Sequence, residues 1–166
     1  LLYYPLFDSF SEPGRAMLKH YDAMRPEFIG TGFEASAQKM LDRGYGFDYI
    51  SDKQIGNLQS LGNSVKTGGH NYKTIILPDF KFIPLATFKS LMQLAQNGAT
   101  VIIYKNAPAD VPGFGNLDAN RKAFKALLAQ LSFTDAGDGV KKAVIGKGLF
   151  LQGYDIDHLL ANAKVS

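Results

Sequence analysis

The stretch Tyr72-Lys73-Thr74-Ile75-Ile76-Leu77 decides the fold. It ends β-branched and wholly apolar, as a strand covered on both faces must. Pro78-Asp79 stops it. Pro84 then suits the first turn of a helix, and Leu85, Phe88, Met92 and Ala95 give that helix one apolar stripe. Asn97-Gly98 ends the helix, and Ala99-Thr100-Val101-Ile102-Ile103-Tyr104 repeats the buried-strand pattern. Two apolar strands joined by an amphipathic helix predict a parallel crossover unit.

The same alternation extends to both sides. Residues 1–4 form a first apolar strand, stopped by Pro5, and residues 5–14 have loop composition. A helix is expected over residues 15–24, broken at Arg25-Pro26. A second is expected over 33–43, with Phe33, Ala37, Met40 and Leu41 on one face and Gly44 placed for a left-handed cap. Residues 47–50 read as a strand, and Ser51-Asp52-Lys53-Gln54 as a capping box opening a short helix. Residues 56–71, rich in Gly, Asn and Ser, read as an irregular loop, as do 106–116. A helix over 117–131 turns Phe124, Leu127, Leu128 and Leu131 inward, with Asn116 or Asp118 as cap. Asp135 to Gly139 read as a turn, residues 140–145 and 148–152 as two short strands around Gly146, either a C-terminal hairpin or a strand with an edge partner, and Asp155 as the cap of a last helix. The expected fold is α/β: a mostly parallel sheet of about five strands with helices on both faces.

Composition limits the function classes. The chain has 166 residues, 46% hydrophobic and 20% charged, enough to bury a core as one domain over 1–166. No apolar run approaches ~18 residues, so no membrane partner is expected. Zero cysteines exclude a disulfide framework, a thiolate metal site and a cysteine nucleophile. The net charge of +3 is spread over scattered lysines, which gives no nucleic-acid footprint. The chain starts at Leu1 inside an apolar strand, which we read as a segment of a longer protein. No signal peptide is visible and the compartment is unknown.

Gly30-Thr31-Gly32-Phe33-Glu34-Ala35 matches the dinucleotide fingerprint, with Asp52 about 20 residues on. The fingerprint needs a buried strand just before it, and Pro26-Glu27-Phe28-Ile29 is too short and polar. A glycine-rich helix entry is the better reading, and the capping box accounts for Asp52. Gly113-Phe114-Gly115 fails the fingerprint spacing and reads as a loop after Pro112. There is neither a P-loop nor a G-x-S-x-G elbow. His20, His70 and His158 lie far apart, and Asp155 and Asp157 suit a helix N-terminus better than calcium. No cofactor or metal is expected.

Ligands of open α/β sheets bind beyond the carboxyl ends of the strands. The residues expected there are Asp8, Ser51, Asp52, Asp79, Lys105 and Asn106. Acids converging at such a crevice bind a divalent cation or a sugar, whereas Asp after a strand also satisfies local N–H groups. Tyr3, Tyr4, Phe7 and Phe10 could stack on a sugar, with core packing or a domain contact as the alternative.

Several stretches together resemble a known family. They are Leu2-Tyr3-Tyr4-Pro5-Leu6-Phe7-Asp8, Gly44-Tyr45-Gly46-Phe47-Asp48-Tyr49-Ile50-Ser51-Asp52, Tyr72-Lys73-Thr74-Ile75-Ile76-Leu77-Pro78, Pro84-Leu85-Ala86-Thr87-Phe88 and Asn97-Gly98-Ala99-Thr100-Val101. Their order and spacing resemble the α/β domain inside bacterial glycoside hydrolases of the α-L-rhamnosidase type, family 106. More distantly they are similar to the trimerisation domain of family 42 β-galactosidases and to the class I glutamine amidotransferase-like superfamily.

The resemblance implies a flavodoxin-like or amidotransferase-like layered fold without the amidotransferase cysteine. It also implies catalytic carboxylates in a separate barrel of about 250 residues, which this chain cannot contain. No catalytic residue is assigned here. The expected role is an accessory domain of a carbohydrate-active enzyme; the alternative is a stand-alone sugar- or small-molecule-binding protein using the strand-end crevice. The expected partners are the catalytic domain of the same parent chain and carbohydrate, with oligomerisation open. The resemblance suggests a periplasmic or extracellular setting. An apolar face for a neighbouring domain is expected around Tyr4, Phe7 and Phe10.

Overall fold

The computed structural model describes residues 1–10 and 29–165. The helix expected over 15–24 lies outside the described residues. The strands are β1 (Leu2–Tyr3), β2 (Tyr49–Ile50), β3 (Gln59–Leu61), β4 (Ser64–Thr67), β5 (His70–Tyr72), β6 (Thr74–Leu77), β7 (Thr100–Tyr104), β8 (Thr134–Asp135), β9 (Lys141–Ile145) and β10 (Gly148–Gly153). The helices are α1 (Leu6–Ser9), α2 (Gly32–Asp42), α3 (Asp52–Ile55), α4 (Leu85–Gln96), α5 (Leu117–Leu128) and α6 (Ile156–Asn162).

The main sheet has seven strands in the order β2-β1-β6-β7-β10-β9-β8. The first five are parallel; β9 and β8 add antiparallel at one edge. The sheet is therefore wider than the expected five strands. Five of its seven strands run parallel, and β9 and β10 form a hairpin within the same sheet. β8 has no signal in the sequence, since two exposed polar residues carry no periodicity, and its Asp135 falls in the expected turn.

Alternate residues of the central strands feed two cores. Tyr3, Ile75, Leu77, Val101, Ile103 and Phe150 pack with Phe88 and Leu91 of α4 and Phe124 of α5. Leu2, Ile76, Ile102 and Leu151 pack with Phe33, Ala37 and Met40 of α2 and with Ile156, Leu159 and Leu160 of α6. Period-two alternation thus places helices on both faces, as the apolar strands required. Phe88 and Phe124 meet edge-on at 5.0 Å between ring centroids and seal α4 to α5.

The helix ends follow the sequence signals. Ser51 accepts from Gln54 N, and the Gln54 side chain accepts from Ser51 N, which completes the capping box of α3. After α2, Gly44 has φ +77, with Gly44 N donating to Leu41 O and Tyr45 N to Met40 O. That is a Schellman closure. Asn116 stands at the N-cap of α5 without a side-chain cap bond.

Residues 56–71 correct the loop expectation. They hold β3, β4 and most of β5, an antiparallel three-stranded sheet of its own. Ser60 Oγ donates to Leu94 O at 3.0 Å, and Val65 is buried in the α4-side core, so this small sheet lies against α4.

Candidate functional site

The five parallel strands deliver their carboxyl ends to one edge. There β2 leads to Ser51-Asp52, β1 to α1 with Asp8, β6 to Asp79, β7 to Lys105-Asn106 and β10 to Tyr154-Asp155. All six expected residues lie on this edge, and they divide into two groups by what they touch.

Asp8, Ser51 and Asp52 face their own chain. Asp8 Oδ1 accepts from the backbone N–H of Lys81 at 2.9 Å and of Phe82 at 2.7 Å, which fixes the loop after β6. Ser51 is the cap already described. Asp52 Oδ1 accepts from the Tyr3 hydroxyl at 2.7 Å and from the Thr87 hydroxyl at 2.6 Å. Those two hydroxyls belong to buried residues, Tyr3 on β1 and Thr87 in the first turn of α4, so the carboxylate satisfies donors that water cannot reach. Burial, and then the adjacent Asp52 carboxylate, hold the Tyr3 phenol far above its ordinary range.

Asp79, Lys105 and Asn106 form the second group. Asn106 Nδ2 donates to Asp79 Oδ1 at 3.2 Å, and Asn106 Oδ1 accepts from the Tyr154 hydroxyl at 3.2 Å. One amide thus links the ends of β6, β7 and β10. Lys105 has φ +68, with its N–H bound to Gly153 O at 2.7 Å and its carbonyl accepting from Gln152 Nε2 at 2.9 Å. Its ammonium lies 5.3 Å from the centroid of the Tyr104 ring. Tyr154 was missed from sequence, because Gly153-Tyr154-Asp155 reads as a helix entry. Its place after the last parallel strand was the signal that could have found it.

The fingerprint-like segment is a helix start. Thr31 Oγ1 accepts from Glu34 N at 3.3 Å, and Glu34 Oε2 accepts from Gly30 N at 2.7 Å. The chain's own carboxylate thus occupies the end of α2 that a phosphate would use. Gly32 is required by close approach: a Cβ there would meet the Asp79 backbone and lie 2.7 Å from Asp79 Cβ. Asp155 accepts from the N–H groups of Asp157 at 2.8 Å and His158 at 3.2 Å; these bonds hold its carboxyl below the ordinary range. Asp157 pairs with Arg43 at 3.2 Å. His158 Nδ1 lies 2.9 Å from Asp138 O, His70 is exposed in β5, and His20 lies outside the described residues. Among the described residues, no group of three or more His, Asp or Glu side chains could hold a metal ion.

The aromatic residues near the first loop separate. Tyr4 packs edge-on against Phe33 at 5.3 Å, half-buried, while Phe7 and Phe10 are exposed.

Fold and edge together define a layered α/β domain whose strand-end acids are held largely by its own groups. A model of the glycoside hydrolase family 106, alpha-L-rhamnosidase, matches residues 26–166. The chain belongs to that family. No curated protein matches it.

Proposed function

We propose that this chain is a non-catalytic accessory domain of an α-L-rhamnosidase-type glycoside hydrolase, packing against a separate catalytic barrel. The observation that carries this reading is the state of the strand-end acids. Glycoside hydrolysis uses two carboxyl groups about 5 to 9.5 Å apart, facing each other across the scissile bond. Asp8 is turned onto two backbone N–H groups and Asp52 onto two hydroxyls, so neither is turned outward toward a sugar.

The fold reading is finer in the same way. Numbered by themselves, the parallel strands run 2-1-3-4-5, the order of flavodoxin-like sheets. The likeness to class I glutamine amidotransferase-like domains and to the family 42 trimerisation domain belongs to this proposal. With no cysteine in the chain, it concerns the scaffold alone.

The test is an assay on 4-nitrophenyl α-L-rhamnopyranoside. The chain alone is expected to release no nitrophenol, and the reading frame around it to encode a barrel of about 250 residues. Turnover by the chain, lost in Asp79→Asn, ends the proposal.

A further inference from the structure

We propose that Asp79, Lys105, Asn106 and Tyr154 form a binding subsite for a neutral pyranoside, a site that holds a sugar without cleaving it. The proposal rests on the non-catalytic reading above in that last respect.

The site lies where parallel sheets present ligands, at the carboxyl ends of three neighbouring strands. Its groups alternate in polarity. The Asp79 carboxylate only accepts, the Asn106 amide donates and accepts, and the Tyr154 hydroxyl does both. Vicinal sugar hydroxyls are also donors and acceptors, so they can take over either of the two bonds at Asn106. Both bonds are 3.2 Å, at the long end of the normal range, and exposed to solvent, so exchanging them costs little.

Tyr154 supplies the apolar half of the site. It is 67% exposed, an open ring for the C–H face of a pyranose. Its backbone is fixed between buried Gly153 of β10 and the Asp155 cap of α6, so little main-chain freedom is lost on binding. Lys105 is a non-glycine residue in the left-handed region, held there by β10 through two hydrogen bonds. Such strain survives only where the surroundings over-determine it. Here it ends β7 and sets Asn106 between its two partners. Asp79 and Lys105 carry opposite charges, so together they add no net charge at the site, which suits an uncharged ligand.

The test follows backbone amide shifts of the labelled full 166-residue chain during titration with methyl α-L-rhamnopyranoside, with inorganic phosphate as a second titrant. Saturable shifts are expected at Asp79, Lys105, Asn106 and Tyr154, with phosphate silent there. Tyr154→Ala and Asn106→Ala should each weaken binding about tenfold or more at an unchanged melting temperature, while Tyr154→Phe retains most of it. No saturable shift, equal shifts with phosphate, or unaltered binding by Tyr154→Ala would overturn the subsite. Nitrophenol release in a parallel sample would overturn the non-catalytic reading and leave the binding result standing.

Discussion

The Tyr3 hydroxyl donates to Oδ1 of Asp52 across 2.7 Å. Tyr3 is fully buried on β1, so its phenol depends on that oxygen, and Thr87 at the start of α4 uses the same atom. One half-buried carboxylate thus ties together the first strand and the helices α3 and α4. Asp52→Ala removes the acceptor of two hydroxyls and should lower stability by about 2 to 6 kcal/mol, at about 1 to 3 kcal/mol for each stranded donor. Asp52→Asn keeps an oxygen and should cost about half as much. Urea unfolding checks this; an Asp52→Ala protein as stable as the parent would refute the structural role.

At Gly32 two effects oppose one another. Alanine is the better helix former by up to about 1 kcal/mol. Its Cβ, however, would strike the backbone of Asp79, which has no flexible end to move aside. Overpacking of that kind costs about 1 to 3 kcal/mol, so Gly32→Ala should be net destabilising. It should also perturb the Asp79 amide in an NMR spectrum. A rise in melting temperature would show that α2 shifts freely against the loop after β6.

Acid sensitivity follows from two carboxyls held below the ordinary range. Hydrogen bonds from Arg121 depress Asp110, and backbone N–H groups depress Asp155. A depressed folded value means stability that is complete above the unfolded value, near 4, and lost as pH falls through the folded one. The melting temperature should therefore change little on this account from pH 7 to about pH 5 and then fall toward pH 3. The double variant Asp110→Asn, Asp155→Asn should show a shallower fall; an identical profile would place the acid sensitivity elsewhere.

Much of this was legible because the central strands are so apolar. Residues 74–77 and 100–104 are buried throughout, and that dictates helices on both faces. The small sheet was illegible by periodicity, since Val65 is the one buried residue in β3, β4 and β5. Its turns were nevertheless written in the chain. Leu61 pairs with Ser64 around Gly62-Asn63, and Thr67 with His70 around Gly68-Gly69, both two-residue hairpin turns. Strand ends located Asp79, Lys105 and Asn106 together. They could not separate these from Asp8 and Asp52, because side-chain direction after a strand depends on loops that carry no period.

The loop after β7 presents Phe114, which is 95% exposed. The base of the loop is fixed. Arg121 grips Asp110 through Nε at 2.9 Å and Nη2 at 2.6 Å, and Asn120 Nδ2 donates to Gly115 O at 3.1 Å. Asp110 also receives an N–H bond onto its carbonyl from Ile83, which anchors the loop to the segment before α4. A ring with almost no contact surface adds almost nothing to folding, so Phe114→Ser should change stability by less than about 0.5 kcal/mol. Arg121→Ala should lower it, because the half-shielded Asp110 loses its partner. Paired thermal melts of the two variants check the contrast. If Phe114→Ser proved the more damaging, the ring would have to be packed against the domain, and the loop would be folded differently from the structure described.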